Sequence, residues 1–298
     1  MKFKSITIKE GILLLAITSL FAVGCNNTAK KEVEEVPPVD STQSTILNVN
    51  GEIFSIPSPI QTSFLLKNSG AAYSKAILNL PGKSAGYSTN FSKGVNLGIY
   101  GADLGYVTIY DQNQDALGYL NAAKKLADEL GVAGAFDENI INRFTKNMGK
   151  QDSMLVLVGV AYRSSDSYLK NNDRNDVSGL VLAGGWIESL YFATNVYKTK
   201  PNEEIKRRIA EQKSSLQSLI KLLTQYYSQP EYSEFVDALN DLSAVFDGVE
   251  FKYTYQKPSI DPVNKMTVIN STTTVKITPE QIESISQKIK AIRNQITG

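Results

Sequence analysis

Along the chain, apolar positions form one short unbroken run, then a long region of helical spacing, with two places where they alternate. The unbroken run spans Gly11 to Val23, too short to cross a bilayer, which needs roughly 20 residues. Residues 26–44 are polar, carry Pro37-Pro38 and offer almost nothing to bury, so they are expected to form a disordered tether. Beyond them, Ile46-Leu-Asn-Val49 and Glu52-Ile-Phe-Ser-Ile56 flank Asn50-Gly51. That pair favours a two-residue turn, because both central residues need positive φ, and it predicts a β-hairpin over 46–56.

From Pro57 onward the spacing turns helical. Pro59 suits a first helical turn, with Ser58 as its cap. The clearest helices are expected at 90–110, 112–130, 136–147, 151–171, 174–198, 201–228 and 230–247. Gly131 closes one of them, Asp137 can cap the next, and Pro201 and Pro230 sit at helix starts. The short connections predict antiparallel neighbours.

Alternation returns at Glu250-Phe-Lys-Tyr-Thr-Tyr255 and at Met266–Ile277, stretches rich in β-branched and aromatic residues. They predict two strands of a β element over 250–277, joined by a loop holding Pro258 and Pro262. Thr278-Pro-Glu-Gln281 then reads as a capping box opening a terminal helix at 279–296. Its Ile282, Ile285, Ile289, Ile292 and Ile296 form one apolar stripe. The expected fold class is therefore mainly α: an antiparallel multi-helix bundle with a short N-terminal β-hairpin and a small two-stranded β element near the C-terminus.

Two of these helices are unusually rich in glycine: 90–110 holds Gly94, Gly98, Gly101 and Gly105, and 174–198 holds Gly179, Gly184 and Gly185. Each glycine costs up to about 1 kcal/mol against alanine, so close approach of the two backbones is expected. An offset of 85 superposes Gly94 on Gly179, Leu97 on Leu182, Asp103 on Glu188 and Tyr106 on Tyr191. Duplication of a helical unit and similar demands on two central helices both account for this. The small-residue spacing also fits membrane helices, but Asn96, Asp103, Glu188 and Asn195 favour a soluble bundle.

Composition removes whole classes of chemistry. The chain has no histidine, and Cys25 is its one cysteine. Ser-His-Asp and Cys-His catalysis, the common zinc and haem ligand sets, iron–sulfur clusters and intrachain disulfides are excluded. The net charge is +1, with no basic run of the kind nucleic acid requires. Neither metal nor cofactor is expected.

The start of the chain carries its own signal. Lys2, Lys4 and Lys9 precede the apolar run, and Leu20-Phe-Ala-Val-Gly-Cys25 follows. This stretch resembles the lipobox of bacterial lipoproteins, in looser form because Ala22 stands where Leu is usual. Such boxes are similar to those of the Bacteroidota. The resemblance covers the first 25 residues and implies thioether lipid on Cys25 with cleavage before it. Asn26, in place of an inner-membrane-retaining Asp, favours an outer-membrane address. Lys30-Lys-Glu-Val-Glu-Glu35 resembles charged tags that send some such lipoproteins to the cell surface. The expected organisation is a signal peptide at 1–24, a tether at 25–44 and one mostly helical domain at 45–298.

Within that domain, Asp103, Arg163 and Glu188 are nearly isolated charges in apolar helices. Ionised groups in such places need partners, so Arg163 is expected to bridge one or both carboxylates. The set reads first as a structural ion pair. A ligand-binding or catalytic carboxylate pair is the alternative, the most credible acid/base set in a chain without histidine. Asp111-Gln-Asn-Gln-Asp115 begins like a calcium loop but has Ala116 and Ala122 where the turn glycine and bidentate glutamate belong, so capping and a solvated turn are expected. Ser167 and Ser218 each begin a Ser-x-x-Lys without the companion motifs of serine acyl-enzymes. The helical tyrosines read as core or boundary residues, some of which, with Trp186, could instead line a groove.

The functional expectation is a non-enzymatic, membrane-anchored envelope lipoprotein, with a protein-interaction or scaffold role and an envelope protein as partner. A glycan- or small-molecule-binding lipoprotein serving a transporter is the alternative. A carboxylate-based hydrolase comes third.

Overall fold

The computed structural model describes residues 45–49, 52–132, 138–172, 174–262 and 264–298. The signal, Cys25 and the tether lie outside them, as do Asn50-Gly51 and Asp137. Two strands, β1 (Thr45–Val49) and β2 (Glu52–Ile56), pair antiparallel with Leu47 opposite Phe54, consistent with the expected hairpin. Nine α-helices follow among the described residues: α1 (Pro59–Asn68), α2 (Asn90–Ile109), α3 (Asn113–Glu129), α4 (Glu138–Lys146), α5 (Gln151–Asn171), α6 (Asn175–Thr199), α7 (Glu203–Thr224), α8 (Pro230–Phe246) and α9 (Pro279–Thr297). The mainly helical reading holds, with boundaries within a few residues of those expected.

Local chemistry explains the element ends. Thr278 accepts from the Gln281 amide while Gln281 returns a bond to the Thr278 amide, the capping box read from sequence. Gly131, at φ 77°, closes α3. Its amide bonds to Asp128 O, and that of Val132 reaches back to Ala127 O, the paired pattern that satisfies a helix's last carbonyls. Ser58 occupies the cap position of α1 but makes no side-chain capping bond.

α2 and α6 form the centre, and both are buried almost all round. They run parallel: Gly94 lies against Val177 and Leu180, Gly98 against Val181 and Gly185, and the Tyr106 ring against Phe192 at 4.8 Å. The antiparallel expectation holds for α2 with α3 and for α6 with α7. α3 returns along α2, with Lys93 bridging Glu129 and Tyr100 meeting Tyr119. α7 returns along α6, where Trp186 Nε1 donates to Gln212 Oε1 at 2.8 Å. The central pair is parallel because an even reversal lies between its members. α5 starts at the C-terminal end of α2, where Gln151 donates to Ile109 O, and its far end delivers the chain to the start of α6.

The glycines do what their cost implied. A Cβ on Gly98 would overlap the Val181 carbonyl, and one on Gly184 would overlap the Val95 carbonyl. The contact is reciprocal with an offset of 86, one residue away from the 85 that superposes the letters. Close helix approach accounts for glycine at both positions.

The C-terminal β element departs in detail from two continuous strands. β3 (Glu250–Thr254) pairs with β6 (Thr272–Lys276), and β4 (Ser259–Asp261) with β5 (Met266–Val268), all antiparallel. Together they form one two-stranded ribbon with a break. Between the two ladders the outgoing strand advances five residues and the returning strand four. Pro258, with no N–H to give, sits in the longer side. Ser271 and Asn270 bridge the gap through bonds to Gln256 and Lys257. Buried Val249 and Ile277 root the ribbon in the helical body.

Candidate functional site

The seam between α2 and α6 carries Asp103 and Glu188, both with no exposed surface. The parallel arrangement sets them side by side within hydrogen-bonding reach. The cation that meets them is Arg293 of α9. Its Nε and one terminal nitrogen hold both Glu188 oxygens at 2.5 and 2.7 Å, a two-pronged pair, and the same terminal nitrogen also donates to Ile77 O at 3.1 Å. The guanidinium lies 4.4 Å from the centre of the Tyr191 ring. Of the set expected from sequence, Asp103 and Glu188 come together. The side chain of Arg163, on α5, lies outside the described residues.

Sequence reading missed Arg293 because the isoleucine stripe of α9 drew attention to its neighbours. A signal was present. Ile282, Ser286, Ile289, Arg293 and Ile296 recur at alternating spacings of four and three, the seam of a packed helix, and all five are buried. α9 is held at its far end too: Asn96 donates to Ile296 O at 2.7 Å, and Lys83 to Gly298 O at 2.6 Å.

Two carboxyls face one guanidinium, which leaves the group one negative charge in excess if both ionise. Burial, then the Glu188 charge, holds the Asp103 carboxyl well above the usual carboxylate range. Glu188 is raised by burial and pulled back by Arg293. Burial works against the Arg293 charge, but Glu188 and Asp103 more than offset it. Asp103 Oδ2 accepts only a long bond, 3.3 Å, from the Asn79 amide, and Oδ1 has no donor among the described residues. A proton on Asp103, given to Glu188, removes both the excess charge and the missing bond. The pair then titrates as one unit.

Tyrosines wall this cluster. Tyr100 donates to Leu80 O and Tyr110 to Ala71 O, while Tyr106 accepts from the Ser74 amide. These three hydroxyls have partners, whereas that of buried Tyr119, packed against Tyr100, has none among the described residues; Trp186 is buried too. The calcium-like segment is committed elsewhere. Asp111 ends α2 with φ 59° and pairs with Lys67, and Asp115 accepts from Lys75 at 2.5 Å and Tyr73 at 2.8 Å. Among the described residues no three or more acidic or thiol side chains gather into a cluster that could hold a metal ion. No helix among them is long and apolar enough to cross a membrane.

A second region breaks the usual composition of a surface. Eleven large apolar side chains stand exposed among the described residues, and seven belong to the ribbon: Phe251, Tyr253, Tyr255, Ile260, Met266, Val268 and Ile269. Single exposed apolar residues need no explanation, but a concentration on one element marks a contact surface. Comparison with known protein families, curated proteins and solved structures finds no match to this chain.

Proposed function

We propose that this protein is a lipid-anchored envelope lipoprotein that acts by contact rather than catalysis. Its helical body is a scaffold that holds the 250–276 ribbon out to another envelope component, an envelope protein being the first partner to seek. The observation that carries this reading is the ribbon's share of exposed apolar side chains. The Asp103, Glu188 and Arg293 cluster supports it from the other side. These side chains are sealed in the core and paired with each other, whereas an acid/base pair must reach a substrate. Cys25, at the lipobox position, would carry the anchor.

The test is in-cell crosslinking of the lipidated protein with identification of what co-purifies, alongside a Cys25→Ser form. One abundant envelope component, lost in that form and in a ribbon variant, is the expected result. Crosslinks that ignore the ribbon would sink the reading.

A further inference from the structure

The ribbon divides into two unlike halves. In the half nearer the body, cross-strand pairs share a face, so Phe251 with Val275 and Tyr253 with Thr273 lie on one side. Glu250, Lys252 and Thr254 lie on the other with their partners. In the distal half the register puts Ile260 and Thr267 on one face, and Met266 and Val268 on the other. Both faces there present large apolar side chains, with Ile260 75% exposed, and beside the ladder Ile269 is 77% exposed. A protein surface laid against a ribbon covers one face, and a strand added at its edge covers neither. Apolar groups on both faces fit a medium that surrounds the tip.

Charge points the same way. The ribbon has four lysines (252, 257, 265 and 276) against Glu250 and Asp261, while the whole chain is nearly neutral. Glu250 is taken by Lys276 at 3.3 Å, which leaves three lysines against Asp261. Tyr253 and Tyr255 stand between tip and body, 63% and 69% exposed, with the amphipathic rings favoured at a lipid–water boundary. Lysine beside exposed apolar groups and tyrosine is the chemistry that recognises an anionic bilayer surface. A two-stranded ribbon is marginal alone in water and gains from burial of this kind.

From these features we infer that the distal ribbon, Ser259–Asp261 and Met266–Val268 with Ile269, docks into the headgroup region of an anionic membrane. The inference rests on the contact reading above and makes the lipid surface the component that the ribbon touches. Nineteen residues separate Cys25 from Thr45 and span at most about 70 Å, so a domain anchored through Cys25 stays within reach of the bilayer.

The test uses the unlipidated Cys25→Ser protein with vesicles of phosphatidylcholine, alone or with one-third phosphatidylglycerol, read by flotation. Binding to the anionic vesicles is expected, with at least tenfold loss in Ile260→Ser/Ile269→Ser, in Lys252→Glu/Lys257→Glu and in 0.5 M salt. Unchanged thermal melting would show that both variants remain folded. Absence of flotation overturns the inference, as does binding that ignores the ribbon substitutions. A dimer in solution that the isoleucine pair abolishes also overturns it, assigning the ribbon to a second copy. Palmitate labelling of Cys25 reports on the anchor separately, so loss of one conclusion is not mistaken for loss of the other.

Discussion

The α2–α6 seam and the 250–276 ribbon depart from ordinary composition in opposite directions. The seam buries two carboxyls, a guanidinium and several tyrosine hydroxyls where apolar groups belong. The ribbon exposes aromatic and branched side chains where polar groups belong. In the seam almost every exception is compensated within the chain, by Arg293, by a shareable proton or by a backbone carbonyl. In the ribbon the apolar exceptions go uncompensated by the chain itself. Buried charge marks how the body holds together, and exposed apolar surface marks where it meets something else.

The strongest way to break this contrast is to remove the seam's cation. Arg293→Met leaves Glu188 buried without its cation and should cost about 3–5 kcal/mol, measured by urea unfolding. A loss under 1 kcal/mol would show the ion pair to be dispensable. Next comes the backbone contact. Gly184→Ala puts a methyl group against the Val95 carbonyl, which cannot rotate away, and should cost about 3 kcal/mol. Gly118→Ala on α3 meets only an ordinary contact with Pro81 at 3.5 Å and should gain up to about 1 kcal/mol. Opposite signs for these two glycines are the expected outcome, and equal signs would refute the close-approach account.

Asp103→Asn keeps the shape and offers an amide donor to Glu188, so at pH 7 it should lie within about 1 kcal/mol of wild type. Its pH dependence is more telling. The folded chain holds a proton on Asp103 above pH about 4, where the unfolded chain has lost it. Wild-type stability therefore contains a contribution that is full below that pH and falls as pH rises toward the raised folded value. The asparagine variant lacks this slope and should gain on wild type as pH rises above about 4. Parallel curves would place the proton elsewhere. The smallest effect belongs to the ribbon: Ile260→Ser/Ile269→Ser should stay within about 0.5 kcal/mol of wild type, because neither side chain is buried.

Periodicity made the helices legible, and punctuation such as Gly131 and Thr278-Pro279 located their ends. The seam was legible too, since clustered helical glycines have few uses besides close approach, and isolated Asp103 and Glu188 stood out in apolar surroundings. The direction of packing was not legible. Loop length fixes only neighbours in sequence, and α2 meets α6 after three intervening helices. Arg293 was hidden because α9 is polar apart from its stripe, so one arginine beside Ile292 looked like surface. The break in the ribbon escaped because alternation from Met266 to Ile277 persists across it, and only the pairing register reveals the extra residue opposite.

The pairing of Glu188 with a residue 105 positions later also sets an order in time. At 5–20 residues per second, synthesis reaches Arg293 about 5–20 s after Glu188. Until then the central helices can meet only by burying Glu188 without its cation.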